Sequence, residues 1–131
     1  MKKVIQSIEA PIAPLVPIGC ELSCYIEEIT ECSPLSIQQE CDLGSAVRKD
    51  CCPVARAQLL RANLRLVVPI AKQFADRGVS LRELIEEGNT GLAWAVQEFD
   101  PEQGVRFSTL ASWWIKHAIR RIVVKSTANA Q

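Results

Sequence analysis

The chain has 131 residues, 48% of them hydrophobic, and a formal net charge of zero. That length fits one domain with a real core, and no apolar run reaches the roughly 18 residues that a membrane span needs. The balanced total hides a split: residues 1–53 carry 4 basic and 8 acidic side chains, residues 54–131 carry 11 and 7.

Residues 1–20 are punctuated by Pro11, Pro14 and Pro17 and show no period, which predicts a flexible, disordered arm. Its basic pair and apolar patch vaguely resemble an export signal. Glu9 and the three prolines interrupt the apolar part, so a cytoplasmic location is expected. A helical domain is expected over residues 21–131. Leu22, Tyr25, Ile26 and Ile29 recur at helical spacing. Ser33-Pro34 breaks that helix, and Ser36 to Gln39 reads as a capping box opening a second helix to about Lys49. All six cysteines lie between Cys20 and Cys52 without CxxC spacing. They read as small, reduced, partly buried residues rather than a metal or disulfide framework. No cofactor is expected.

Pro53 suits the first turn of a third, long helix. Val54, Ala57, Leu60, Leu64, Val67 and Val68 keep a helical period, a kink is expected at Pro69, and Gly78 supplies a left-handed end. Ser80 to Glu83 opens a fourth helix to about Phe99, with Leu84, Ile85, Leu92 and Val96 as its apolar stripe. Glu83, Glu86, Glu87 and Asn89 crowd its first half, and Gly88 and Gly91 allow another backbone to come close. Asp100 to Gly104 forms a turn.

The last stretch, Arg106 to Lys125, shapes the functional reading. At about 100° per residue, Ala111, Ile115, Ala118, Ile119 and Ile122 share one side. Trp113, His117 and Arg120 share the other, flanked by Trp114, Lys116 and Arg121. Ser108 or Thr109 is expected to cap its start. Arg82 to Gln103 carries 1 basic and 6 acidic residues, whereas Trp113 to Lys125 carries 4 basic and none acidic. Neighbouring segments of opposite sign suit two partners, one cationic and one a polyanion. Rings among cations suit single-stranded or melting nucleic acid, since rings stack bases and Arg and Lys hold phosphates. The plainer alternatives are chance unevenness of charge and a core helix with packed tryptophans and a solvated basic side.

Other chemistry finds no support. There is no GxxxxGK[ST] or GxGxxG loop. The one histidine, His117, sits in a basic helix with no carboxylate near it in sequence to complete a triad. Glu86 and Glu87 read as solvated surface carboxylates. No enzyme is expected.

Arg61 to Arg121 resembles the second conserved region of the sigma-70 family, the bacterial RNA polymerase initiation factors. The resemblance rests on ANLRLV, the RG turn, LI-x-EG-N-x-GL, the FDP turn, RFST and WWI-x-x-AIRR. A weaker likeness to the preceding family region covers Leu22 to Arg56, through Tyr25, Ile26, Ile29 and Pro34-Leu35. It implies an all-α, compact bundle of four to five helices. It also implies that Glu83, Glu86, Glu87 and Asn89 dock on the clamp helices of the largest subunit of core RNA polymerase. Trp113 and Trp114 are implied to wedge at the upstream edge of the promoter bubble, and His117 and Arg120 to face the first base pair of the minus-ten element. Arg106, Lys116 and Arg121 are implied to hold phosphates. Asn63, Leu66, Ser108 and Thr109 are implied to help hold a flipped-out non-template base.

The chain departs from the family pattern at Val105 and Leu110, where rings are usual. The ring at position 110 is the one on which the first flipped adenine stacks. His117 stands where glutamine, which can pair bidentately with adenine, is usual. The later helix-turn-helix domain that reads the minus-thirty-five element is not part of this sequence. The reading is a sigma factor, or truncated sigma factor, that binds core polymerase and melts the minus-ten element. The alternative is a non-initiating regulator that occupies the clamp site and melts promoters weakly.

Overall fold

The computed structural model describes residues 22–30, 34–75 and 77–129. The expected arm, Cys20 and Cys32 lie outside the described residues. The fold is all-α, and among the described residues there is no strand. In chain order the helices are α1 (Leu22–Thr30), α2 (Ile37–Asp50), α3 (Pro53–Ala62), α4 (Val67–Lys72), α5 (Leu81–Glu98) and α6 (Phe107–Asn129). Single 3-10 turns lie at Leu64–Leu66 and Pro101–Gln103.

The helix starts follow from local chemistry. At α2, Ser36 Oγ accepts from Gln39 N–H and Gln39 Oε1 accepts from Ser36 N–H, a full capping box. At α3 the Cys52 thiol takes the capping role, its Sγ accepting from Ala55 N–H ahead of Pro53. Cys51 closes α2 in the left-handed region with φ +50°, its N–H reaching the carbonyls of Ala46 and Val47. Ser80 Oγ caps α5 through Glu83 N–H.

The expected long third helix is broken, and not at the proline. The break falls at Asn63, whose side-chain amide donates to the Leu59 carbonyl at 2.8 Å and so competes with the backbone ladder. After the 3-10 turn, Pro69 occupies the first turn of α4, where a missing N–H costs little. Gly78 does adopt φ +86°, but α4 has already ended at Lys72. The buried face of α3 is Ala55, Leu59 and Leu60, and the expected core positions Val54 and Ala57 point to solvent.

The core is built around the α5–α6 hairpin. Leu84, Ile85, Leu92 and Val96 of α5 meet Phe107, Ala111, Ile115 and Ile119 of α6, with Leu59 and Val67 of the preceding segments completing the cluster. Gly91 lets the two backbones approach: a Cβ there would lie 2.5 Å from the Trp114 carbonyl oxygen. A Cβ on Gly88 would strike Val67 at 2.6 Å. The two glycines thus set the hairpin's register, with residue 88 opposite 115 and 119 and residue 91 opposite 114 and 118. The helices run antiparallel.

Candidate functional site

α6 reaches the surface with two unlike sides. Ala111, Ile115, Ala118 and Ile119 are buried. On the far side Trp113 is 58% exposed, and Arg120 and Arg121 are exposed. One turn apart, the Trp113 and His117 rings stack at 5.2 Å between centroids and 5° between planes. Trp114 stands edge-on to both, 5.2 Å from Trp113 and 6.2 Å from His117, and packs against the core. The result is a three-ring cluster anchored by one half-buried indole. His117 covers one face of Trp113. A platform of this kind accepts a flat ring without reading its edges. Lys116 is half-buried beside it. Across the hairpin, Glu83 is exposed and Glu86 and Glu87 are half-buried, so the acidic and the basic-aromatic sides sit on two helices packed directly together.

Residues 59–128 match the family described as Sigma-70 region 2. The chain belongs to the sigma-70 region 2 family. Over 103 residues it is 45% identical to the RNA polymerase sigma factor RpoS of Coxiella burnetii (strain RSA 493 / Nine Mile phase I). That match covers 79% of this chain and 29% of the relative, so the chain spans about three tenths of that protein's length.

Two side chains of this region 2 domain depart from their expected surroundings. Asn89 is 0% exposed, its Nδ2 donating to the Tyr25 hydroxyl at 3.1 Å. It ties α1 to α5 and does not present itself to a partner. An amide within an acidic run reads as surface, and only the fold shows that it faces inward. Arg106 is half exposed, but its Nε and Nη2 donate to the two carboxylate oxygens of Glu40 at 3.1 and 3.2 Å. That fork, through its hydrogen bonds first and its charge second, holds the guanidinium's pKa above its ordinary value. The expected phosphate contact would have to compete with it.

Glu40 is the residue that sequence reasoning missed. It is 4% exposed and also accepts from the Phe107 N–H at 2.8 Å, the first donor of α6. A buried carboxylate from α2 therefore caps α6. Ser108 and Thr109, expected at the cap, lie inside the first turn of α6 instead, with Ser108 half-buried and Thr109 exposed. Thr109 N–H bonds the Arg106 carbonyl.

The remaining candidates are split. Leu66 is half-buried against the core in the 3-10 turn that touches α6. Asn63 is 8% exposed, with its amide turned inward to Leu59. Leu110 is half-buried and packs on the core, whereas Val105 is 47% exposed just before α6. Val105 and Leu110 thus both lie at the N-terminal end of the helix that carries Trp113 and Trp114. Asp100 caps the 3-10 turn that precedes α6. Its carboxylate accepts from Gln103 Nε2 and Glu102 N–H, which, with Arg48 and Lys49 nearby, lowers its pKa below the usual value.

Proposed function

We propose that this chain is the part of a bacterial sigma factor that docks on core RNA polymerase through α5 and opens the promoter minus-ten element with α6. The observation that carries the reading is the open face of Trp113, set among cations, on a helix packed against an acidic one. Glu83, Glu86 and Glu87 offer charge to a basic coiled-coil surface on the largest subunit, where complementarity steers encounter and fixes orientation. Trp113 and Trp114 stack at the upstream fork, and His117 and Arg120 face the first base pair of the element. Lys116 and Arg121 neutralise phosphates, which makes binding strongly salt-dependent. Leu66, Ser108 and Thr109 line the place for an extruded non-template base. Asn63 joins them only by giving up its bond to the Leu59 carbonyl. Extrusion costs a few kcal/mol of unstacking, offset by contacts in the pocket. The role is that of a binding subunit in the cytoplasm, with no bond-making step of its own.

A second reading has one observation in its favour. Leu110 puts an aliphatic side chain where a flipped adenine would want a ring, at about 1–3 kcal/mol for the lost stack, and Val105 stands at a second position where the family usually has a ring. A chain of that kind would occupy the clamp site and melt poorly, competing with full sigma factors.

One experiment separates the two. A labelled single strand carrying the minus-ten sequence is titrated with the chain plus core polymerase, and anisotropy is read. Promoter opening requires binding that is lost in the Trp113→Ala/Trp114→Ala double variant. Core binding without oligomer binding selects the regulator, and failure to bind core discards both.

A further inference from the structure

α6 begins with two features that draw anions. The first N–H groups of a helix favour negative charge beyond its end. Arg106, the residue before Phe107, adds a half-exposed guanidinium. Every side chain from Phe107 to Ile115 is uncharged, so the next cation is Lys116, roughly 15 Å further along the helix axis. A phosphate approaching this end of α6 would settle on Arg106 and the helix start.

That place is already taken. Glu40 of α2 is buried with both oxygens engaged. Its Oε2 accepts from Phe107 N–H at 2.8 Å and from Arg106 Nε at 3.1 Å, and its Oε1 accepts from Arg106 Nη2 at 3.2 Å. The fork occupies two of the guanidinium's donors and cancels its charge. The carboxylate is also held in position. One and two turns further on, α2 is fixed to the chain that joins α5 to α6. There Gly44 lies against the Phe99 ring, and Arg48 donates to the Phe99 carbonyl at 3.4 Å and pairs with Asp100 at 3.8 Å. The two anions compete for Arg106 on unequal terms. Glu40 has left water and would be stranded without its partner. A strand phosphate stays solvated and screened, and loses little when Arg106 is not offered.

We infer that Glu40 is a built-in substitute for a phosphate: it keeps Arg106 and the start of α6 off the promoter strand, so that the phosphate-holding cations of α6 begin at Lys116. The inference rests on the promoter-opening reading and makes Glu40 a residue that sets strand affinity without touching DNA. At this end of α6 the strand is then held through its bases, by Leu66, Ser108 and Thr109. Phosphate attraction, which carries no sequence information, is suppressed there.

The test uses the whole chain saturated with core RNA polymerase. Anisotropy follows a labelled minus-ten strand and a scrambled strand of equal length between about 50 and 200 mM salt. Glu40→Gln, which keeps an oxygen for the Phe107 N–H, frees Arg106 to take one phosphate. The slope of log affinity against log salt should steepen by about 0.7. For a contact worth nothing at about 1 M salt, affinity should rise about eightfold at the low end of that range and about threefold at the high end. The gain should be equal on the scrambled strand. It should vanish in Glu40→Gln/Arg106→Gln, which has the net charge of the wild type and should match its slope. Arg106→Gln alone, whose amide still donates to Glu40, should bind within about twofold of wild type with an unchanged slope. Far-UV circular dichroism checks the fold of each variant. A slope flatter by about 0.7 in Arg106→Gln or in the double variant puts Arg106 on a phosphate in the wild type and overturns the inference. So does a folded Glu40→Gln with no gain that depends on Arg106. Trp113→Ala separates the levels. If it weakens strand binding and the Arg106 series fails, only the Glu40 assignment falls. If it has no effect, the promoter-opening reading falls and the assignment with it.

Discussion

Replacing Glu40 with alanine should destabilise the domain by about 2–4 kcal/mol. The Phe107 N–H is the first donor of α6 and belongs to a residue with no exposed surface. Without the carboxylate it loses its acceptor in a place water does not reach, and an orphaned buried donor costs about 1–3 kcal/mol. Losing an anion at a helix start adds about 0.3–1 kcal/mol, and the deleted methylene adds about 0.8 kcal/mol. Relief of the carboxylate's own desolvation offsets part of this. Arg106 is half exposed and rehydrates, so its loss of a partner adds little. Glu40→Gln keeps a carbonyl oxygen for Phe107 and should lose about half as much. Urea unfolding followed by circular dichroism gives the comparison from midpoints at a common slope. A loss below about 0.5 kcal/mol for alanine would show that the cap is unimportant. Glutamine as damaging as alanine would show that the charge pair matters more than the Phe107 bond.

Gly91→Ala should lower stability by about 1–3 kcal/mol, because the new Cβ meets helix backbone that has nowhere to go; an unchanged thermal melt would contradict the close approach. Tyr25 is the chain's one tyrosine, so phenolate absorbance reports it alone. Burial first, and the Glu86 charge after it, raise its pKa above the usual 10.0, against the lowering effect of the Asn89 bond. A raised acid favours the neutral form in the fold. Its stabilisation is therefore complete below the unfolded value and drains away as pH rises through the folded one. Titration at the ordinary value in the folded protein would refute the burial. Leu110→Tyr should strengthen binding of the minus-ten strand by roughly 5- to 150-fold, the worth of one stacked ring; no gain would tell against stacking at that place.

The two-sided character of α6 was legible because its 3.6-residue period runs unbroken and its cations are not interleaved with acids. The Ser36 capping box and the turn at Asp100 were legible for a similar reason, since each is decided within a few residues. What stayed hidden was set by contacts across the fold. Glu40 and the Phe107 N–H are 67 residues apart, and nothing local distinguishes that glutamate from a solvated one. Pro69 drew attention away from Asn63, yet a proline in a first turn does no harm while an amide bonding back to its own helix ends it. Asn89 looked like part of an acidic docking face because side-chain direction depends on where α1 packs.

The most direct test measures two affinities on two variants. Core polymerase binding and minus-ten strand binding by the core-saturated complex are compared for Glu83→Lys/Glu87→Lys and for Trp113→Ala. The expected result is a clean crossing. The α5 variant loses core affinity but, once saturated, holds the strand normally. Trp113→Ala keeps core affinity and a normal melt, since its indole lies outside the core, and loses the strand by roughly 5- to 150-fold. If each variant impairs both affinities equally, or if Trp113→Ala leaves strand binding intact, the two helices do not divide the work between an enzyme and a duplex.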